Sequence, residues 1–386
     1  MVKLPYWRLS GFYFFYFASL GVLVPYWALY LKSLGFSALQ IGQLMAIVMA
    51  TKIIAPNIWG WIADHSGRRM SIVRVGALCA LVSFVGVFFG HSYWWLATVM
   101  LLFSFFWNAV LPQFEATTFS HLGQQARRYS SIRLWGSVGF ILAVAALGPV
   151  LERTGAGILP TVVLVSFAGI WVASWLTPDV GVAHAHPHAP ALRHVLRQPG
   201  VLALLVVCFL AQASHGPYYT FYTIYMEQNG YSRSLIGQLW ALGVIAEVAV
   251  FMFMHRLLSS VGLRALLILS LILSALRWLA IGTLVDSLAA MVVAQLLHAA
   301  TFGIYHATAI QMIHIYFSGR HQGKGQALYS SLSFGAGGAV GSLYSGMSWD
   351  TLGPQATYLI AMGVSALSVL VAWRYLKVSD EGHGAP

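Results

Sequence analysis

Residues 35–46 read GFSALQIGQLMA, and residues 230–241 read GYSRSLIGQLWA. Seven of the twelve positions are identical at a fixed offset of 195 residues: Gly35/Gly230, Ser37/Ser232, Ile41/Ile236, Gly42/Gly237, Gln43/Gln238, Leu44/Leu239 and Ala46/Ala241. The same offset pairs Gly21 with Gly216, Lys52 with Glu247, Gly67 with Gly262 and Arg69 with Arg264. The second half of the chain therefore repeats the first. This period far exceeds the roughly 20–50 residues of soluble solenoids. Two homologous halves of this size are an arrangement found in membrane transporters.

Composition agrees. Charged residues make up 8% of the chain and hydrophobic ones 59%, whereas soluble domains run at about 25% charged. Cys79 and Cys208 both lie in apolar runs, which excludes a disulfide framework or a cysteine-based metal site. Lys3 and Arg8 precede an apolar run over 9–31 that is too long for a signal peptide's core and has no clear cleavage site. It is read as a retained first helix.

Twelve stretches are long enough to cross a bilayer, each needing about 20 apolar residues. They are 9–31, 38–62, 72–90, 94–119, 132–151, 158–177, 200–226, 235–257, 264–284, 287–314, 324–347 and 355–376. All are expected to be helical, because lipid cannot satisfy open backbone groups. The predicted fold is an all-α integral membrane protein of twelve transmembrane helices in two pseudo-symmetric six-helix bundles. Residues 1–177 form the first half and 200–386 the second, joined by the Pro-, Ala- and His-rich linker 178–199.

The net charge of +11 raises the question of nucleic acid, and the positions of the basic residues answer it. Of 21 Lys and Arg, fifteen fall at the termini or in even-to-odd loops, and only Lys32, Arg153 and Arg233 in the opposite set. The positive-inside rule then places both termini and the linker in the cytoplasm, and the nucleic-acid reading fails. His184, His186 and His188 alternate in the linker with no acidic partner, so a solvated linker is expected there and no metal site. Gly335, Gly337, Gly338 and Gly341 in the eleventh span, with Gly136 and Gly139 in the fifth, let helices approach closely.

Between the second and third spans runs GWIADHSGRRM. The helix is expected to end at Asp64, turn at Gly67 and present Arg68 and Arg69 at the membrane face. With Gly60, these residues resemble the G-x-x-x-D-x-x-G-R-R cytoplasmic loop of the major facilitator superfamily. That resemblance implies an aspartate that pairs across the half-interface and steadies the outward-facing state. His65 stands where the family commonly has arginine.

Five ionisable residues other than histidine lie within spans: Lys52, Glu115, Arg133, Glu247 and Arg277. Each charge at mid-bilayer costs about 2.5–3.5 kcal/mol on the insertion scale, so they must face one another or a wet cavity. A structural salt bridge is one outcome, and a substrate and proton path is the other. Lys52 and Glu247 are equivalent under the repeat, which places both near a common axis. In the tenth span His298, Thr301 and Tyr305 are spaced to share a helical face, as are Gln212, His215, Tyr219 and Tyr222 in the seventh. Such mixed stripes suit either interhelical hydrogen bonding or a cavity for a small amphipathic solute. Gly216-Pro217 is expected to break the seventh span, and Pro25 to loosen the first.

Glu115 and Arg133, eighteen residues apart, resemble the helix 4 acid and helix 5 arginine of the lactose permease branch of the superfamily. Glu247, Arg277 and His298 sit like that branch's acid, arginine and histidine on helices 8, 9 and 10. GFYFFYFASLGVLVPYWALYLKSLGFS, IRLWGSV, HGPYYTFYTIY and LWALGVIAEV resemble its bacterial 3-phenylpropionate permease subgroup, over nearly the whole chain. The branch's proton-carrying glutamate three residues after the histidine is replaced here by Thr301. Proton coupling is therefore expected at Glu247 or Glu115, with Arg277 and His298. Arg133 or Arg277 approaching or leaving a buried carboxylate would release or load its proton.

The expected function is secondary active transport, a proton symport of a small organic solute by alternating access. Three intramembrane cations against two acids favour an anion, and the resemblance favours an aromatic or other monocarboxylic acid. A sugar or nucleoside, or uncoupled facilitation, is the alternative. Substrate contacts are expected from Lys52, Glu115, Arg133, Gln212, His215, Tyr219, Tyr222 and Arg277. The chain has no nucleotide-binding loop, nucleophile elbow or HExxH motif, so an enzyme or ATP-driven pump is not expected, nor a cofactor. The partners expected are a small solute, protons and the lipid of a bacterial inner membrane, with the protein acting as a monomer.

Overall fold

The computed structural model describes residues 4–180 and 193–376, with the side chain of Arg320 outside that description. Lys3, Lys377 and the linker histidines His184, His186 and His188 fall outside the described residues. The described residues are helical almost throughout, and twelve spans follow in order. Spans 1 to 6 are Tyr6–Ser33, Ala38–Ser66, Arg69–Phe88, Tyr93–Leu122, Tyr129–Thr154 and Ala156–Leu176. Span 7 is Pro199–Gln228 and spans 8 and 9 are Arg233–Val261 and Leu263–Thr283. Span 10 is Leu288–Tyr316, and span 12 is Pro354–Tyr375. Span 11 runs through Gln322–Ser330, Ser331–Gly337 and Gly338–Thr351.

Ten of these helical stretches are long and apolar enough to cross a membrane by composition alone. Spans 4 and 5 merge into one of them through the 3-10 turn Gly123–Arg128. Span 11, crowded with Gly and Ser, does not reach that hydropathy. The outer surface carries large apolar side chains, among them Phe89 and Met252. Trp7, Trp94, Trp175 and Trp373 stand exposed near span ends, where amphipathic rings sit at the headgroup level.

The duplicated stretch opens spans 2 and 8, and each repeated residue has a physical task. Gly35 and Gly230 take φ of +87° and +83° in the reversing loops, a region closed to most side chains. Ser37 and Ser232 are the N-caps, accepting the amides of Gln40 and Leu235. Ile41, Leu44 and Ala46 are buried, as are Ile236, Leu239 and Ala241.

Spans 1, 5 and 6 pack together in the first half, and spans 7, 9, 11 and 12 in the second. Across the halves, span 2 lies against span 11 and span 5 against span 8. One apolar core fills the first half and continues into Tyr218–Met226 of span 7 and the start of span 8. A second core, from Val201 to Leu376, lies apart at the terminal end of the second half. The halves thus share a core on the face away from the termini.

Three local expectations come out differently. Pro25 leaves span 1 uninterrupted; it is buried inside a continuous helix, where neighbouring helices compensate for the missing amide. Asp64 does not end its helix, which runs on to Ser66 and closes at Gly67 with φ 65°. Span 10 is not uniformly α-helical: a π segment at Ala299–Ile304 shifts its register. The shared face of His298, Thr301 and Tyr305 is thereby split.

Candidate functional site

Span 7 breaks as expected: its first helix ends at Ser214, His215 turns, and Gly216–Gln228 resumes. The break fits against span 11, where a β-carbon on Gly216 would collide with Gly341. Facing this break is the most densely connected polar cluster of the second half. Arg277 of span 9 is fully buried, at 0% exposure. Its Nε donates to the Ala294 carbonyl at 2.7 Å. Its other nitrogens meet His298 Nδ1 at 3.1 Å, Thr301 Oγ1 at 3.0 Å and Gln295 Oε1 at 3.5 Å. The guanidinium plane lies over Tyr218 at 4.1 Å, and Tyr218 itself donates to Gln295 Oε1 at 2.9 Å.

A guanidinium can only donate, so the Nδ1 of His298 must accept. The single proton of a neutral His298 is then on Nε2, 3.6 Å from Glu247 Oε2. Spans 8, 9 and 10 are tied by Glu247, His298 and Arg277 in series. His298 and Thr301, three residues apart, both reach Arg277. Tyr305 turns away instead and donates to the Cys208 carbonyl.

The first half carries a second, looser cluster. Glu115 of span 4 accepts from Tyr129 at 3.1 Å. Arg133 of span 5 stacks its guanidinium over Phe17 at 3.6 Å, with Tyr13 at 5.9 Å. It lies within electrostatic reach of Glu115, of Glu247 across the half-interface, and of His306. Yet neither a salt bridge nor a hydrogen bond from its nitrogens forms among the described residues.

Lys52 also has no hydrogen bond or ion pair among the described residues. It borders a cavity of about 10 Å³ with Leu20, Trp27, Met49 and Trp107, room for a single water. Lys52 thus faces residues of its own half and Glu247 meets His298, and no ion pair joins the two among the described residues. Of the span 7 residues, Gln212 and His215 are buried with Nε2 atoms unpartnered, and His215 Nδ1 is held by the Ala211 carbonyl. Tyr219 is partly exposed and stacked on His215. Tyr222 is fully buried against Tyr218 and Trp240, with its hydroxyl unpartnered.

At the loop between spans 2 and 3, Asp64 pairs with Arg69 at 2.9 Å within the same loop, rather than across the halves. Arg68 is exposed, and Gly60 packs beside Gln113. Tyr218, Gln295 and His306 went unnoticed in the sequence. His306 bonds Tyr329 at 2.9 Å and stacks on Phe302, which stacks on His298. A glutamine inside a span, one turn before His298, was the available signal for Gln295.

Residues 6–360 match the model of the MFS_1 like family. The chain is 30% identical over 366 residues to the "Probable 3-phenylpropionic acid transporter" of Escherichia coli (strain K12), covering 92% of this chain and 94% of that one. It is 26% identical over 373 residues to the maltose permease of Geobacillus stearothermophilus, covering 93% and 92%. Its fold is similar to that of a crystallised variant of the nucleoside transporter NupG, at a TM-score of 0.86 and 15% identity over 96% of this chain and all of that one. The chain belongs to the MFS_1 like family and is a multi-pass secondary transporter of the major facilitator superfamily.

Proposed function

We propose that this transporter is a proton symporter of a small aromatic or other monocarboxylic acid. The observation that carries the reading is Arg133: an intramembrane cation, braced by two aromatic faces, whose N–H groups have no acceptor among the described residues. Arg133 is half-buried inside a span, where an unpaired cation is costly, and a carboxylate from solution offers the bidentate partner it lacks. Phe17 beside it is half-buried and offers apolar surface for a flat solute, while the fully buried Tyr13 backs it. Arg277, by contrast, is consumed by its own neighbours. The relative named for 3-phenylpropionic acid supports this class; the relative named for maltose keeps a sugar as the second reading, with Glu115 as its ligand.

The proton is carried by Glu247. Arg277 occupies the Nδ1 of His298, so the imidazole cannot take a second proton while that contact lasts. Glu247, at 16% side-chain exposure, is the member of the series open to exchange. Lys52, Gln212, His215, Tyr219 and Tyr222 are the further residues proposed to meet the substrate during the cycle. Residues 1–177 and 200–386 move as the two halves, with the linker 178–199 and both termini on the cytoplasmic side of a bacterial inner membrane. The working unit is the monomer.

The test is a ligand screen of purified protein by thermal shift, with aromatic acids, sugars and nucleosides side by side, followed by uptake into vesicles under a pH gradient. A binder raises the melting temperature by mass action. Acids are expected to stabilise and to accumulate with the gradient. Stabilisation by sugars alone would favour the second reading, and uptake indifferent to pH would mean a facilitator.

A further inference from the structure

The duplicated openings of spans 2 and 8 each meet a carboxylate from the opposite half. The Ala38 amide, in the first turn of span 2, donates to Asp350 Oδ2 at 3.1 Å. The Ser234 amide, in the first turn of span 8, donates to Glu152 Oε1 at 3.1 Å, and its hydroxyl to Oε2 at 2.7 Å. Asp350 lies at the end of span 11 and Glu152 at the end of span 5. Four residues before each acid is a glycine, Gly346 or Gly148, without which the helices could not come so close. A β-carbon there would lie 2.6 Å from the Ala38 carbonyl or 2.5 Å from that of Arg233. Gly42 and Gly237 return the approach, on the carbonyls of Ser342 and Val144.

The acids Glu152 and Asp350, the glycines Gly148 and Gly346, and the residues Val144 and Ser342 are all related by one offset of 198 residues. The two contacts are thus copies of one device, related by the same symmetry that relates the halves. Arg233 adds a tie to span 5 alone, donating to the Leu151 carbonyl at 2.8 Å; its counterpart in the first half is Ala38.

We propose that Glu152 and Asp350 are positioning residues of the transport cycle, paired latch carboxylates that hold shut the face away from the termini. The first turn of a helix presents unsatisfied N–H groups and a partial positive charge, which a carboxylate stabilises. Here the helix and the carboxylate belong to different halves. The interaction therefore exists only while that face is closed and is exchanged for water when it opens. A contact present in one of two states biases the equilibrium between them. This inference concerns the halves alone and does not depend on the substrate assigned above.

The test places spin labels on His91→Cys and Leu284→Cys, exposed positions of opposite halves on that face, with Cys79 and Cys208 replaced by Ser. Distances are measured by pulsed electron resonance without substrate. The parent is expected to show one dominant short distance. Glu152→Gln and Asp350→Asn keep side-chain shape and remove the charge; each should raise the ratio of long to short distances about fivefold, the worth of a helix cap, and the double variant should multiply the two effects. Asp350→Glu, which keeps a carboxylate, should restore the short distance. An unchanged distribution in the double variant would overturn the proposal. So would an equal shift in Asp350→Glu accompanied by a lowered melting temperature, which would mark a structural defect.

Discussion

Arg277 donates to the Nδ1 of His298 across 3.1 Å, and this single contact decides where the proton of the histidine can be. With Nδ1 occupied, only Nε2 carries hydrogen, and it points to Glu247 at 3.6 Å. The acid, the imidazole and the guanidinium are one unit drawn from three spans.

Glu247→Gln is expected to abolish accumulation driven by a pH gradient. Exchange of labelled for unlabelled substrate needs no net proton movement and should survive. Accumulation and exchange assays on one vesicle preparation separate the two. Glu115→Gln should instead leave coupling intact and alter substrate affinity. Full accumulation in Glu247→Gln would remove the residue from the coupling role.

Arg277→Lys is expected to fail as a conservative change. A lysine has no planar face for Tyr218 and cannot reach the Ala294 carbonyl, His298, Thr301 and Gln295 together. Each buried group left without a partner costs about 1–3 kcal/mol, so the melting temperature should fall well below that of Arg133→Lys. Differential scanning of the two variants without substrate provides the comparison.

The fifteen-to-three distribution of basic residues is the basis for the proposed sidedness. A cysteine introduced at 194, at the end of the linker, should react with a membrane-impermeant reagent only after cells are opened. Labelling in intact cells would reverse the topology. The same experiment at exposed Leu352, in the loop between spans 11 and 12, should give the opposite pattern.

Much of the fold was legible in the sequence because lipid leaves few choices: twelve apolar stretches had to be helices, and every observed boundary falls within four residues of expectation. The repeat was legible too, down to Gly35 and Gly230 in their left-handed turns. What could not be read was register. The π segment at Ala299–Ile304 contains no proline, and its single glycine, Gly303, is one of many in the spans, so nothing marked the shift that takes Tyr305 off the face it was expected to share with His298. Pro25 misled for the complementary reason: a proline signals a break only where packing does not hold the helix together. Tyr218 was passed over among many aromatics, since only the position of Arg277 distinguishes it from its neighbours. The cross-half carboxylates Glu152 and Asp350 look like ordinary span-end acids until the two halves are placed together.

Arg133 is the cation proposed to read a carboxylate, and the most direct measurement is binding of an acid and its amide to two proteins. Isothermal titration of 3-phenylpropionate and 3-phenylpropionamide is carried out with the parent and with Arg133→Gln. The substitution is expected to weaken binding of the acid by about 1.5–3 kcal/mol, the range for hydrogen bonds to charged groups, while the amide is barely affected. Equal weakening of both ligands, or an acid that binds Arg133→Gln as tightly as the parent, would contradict it.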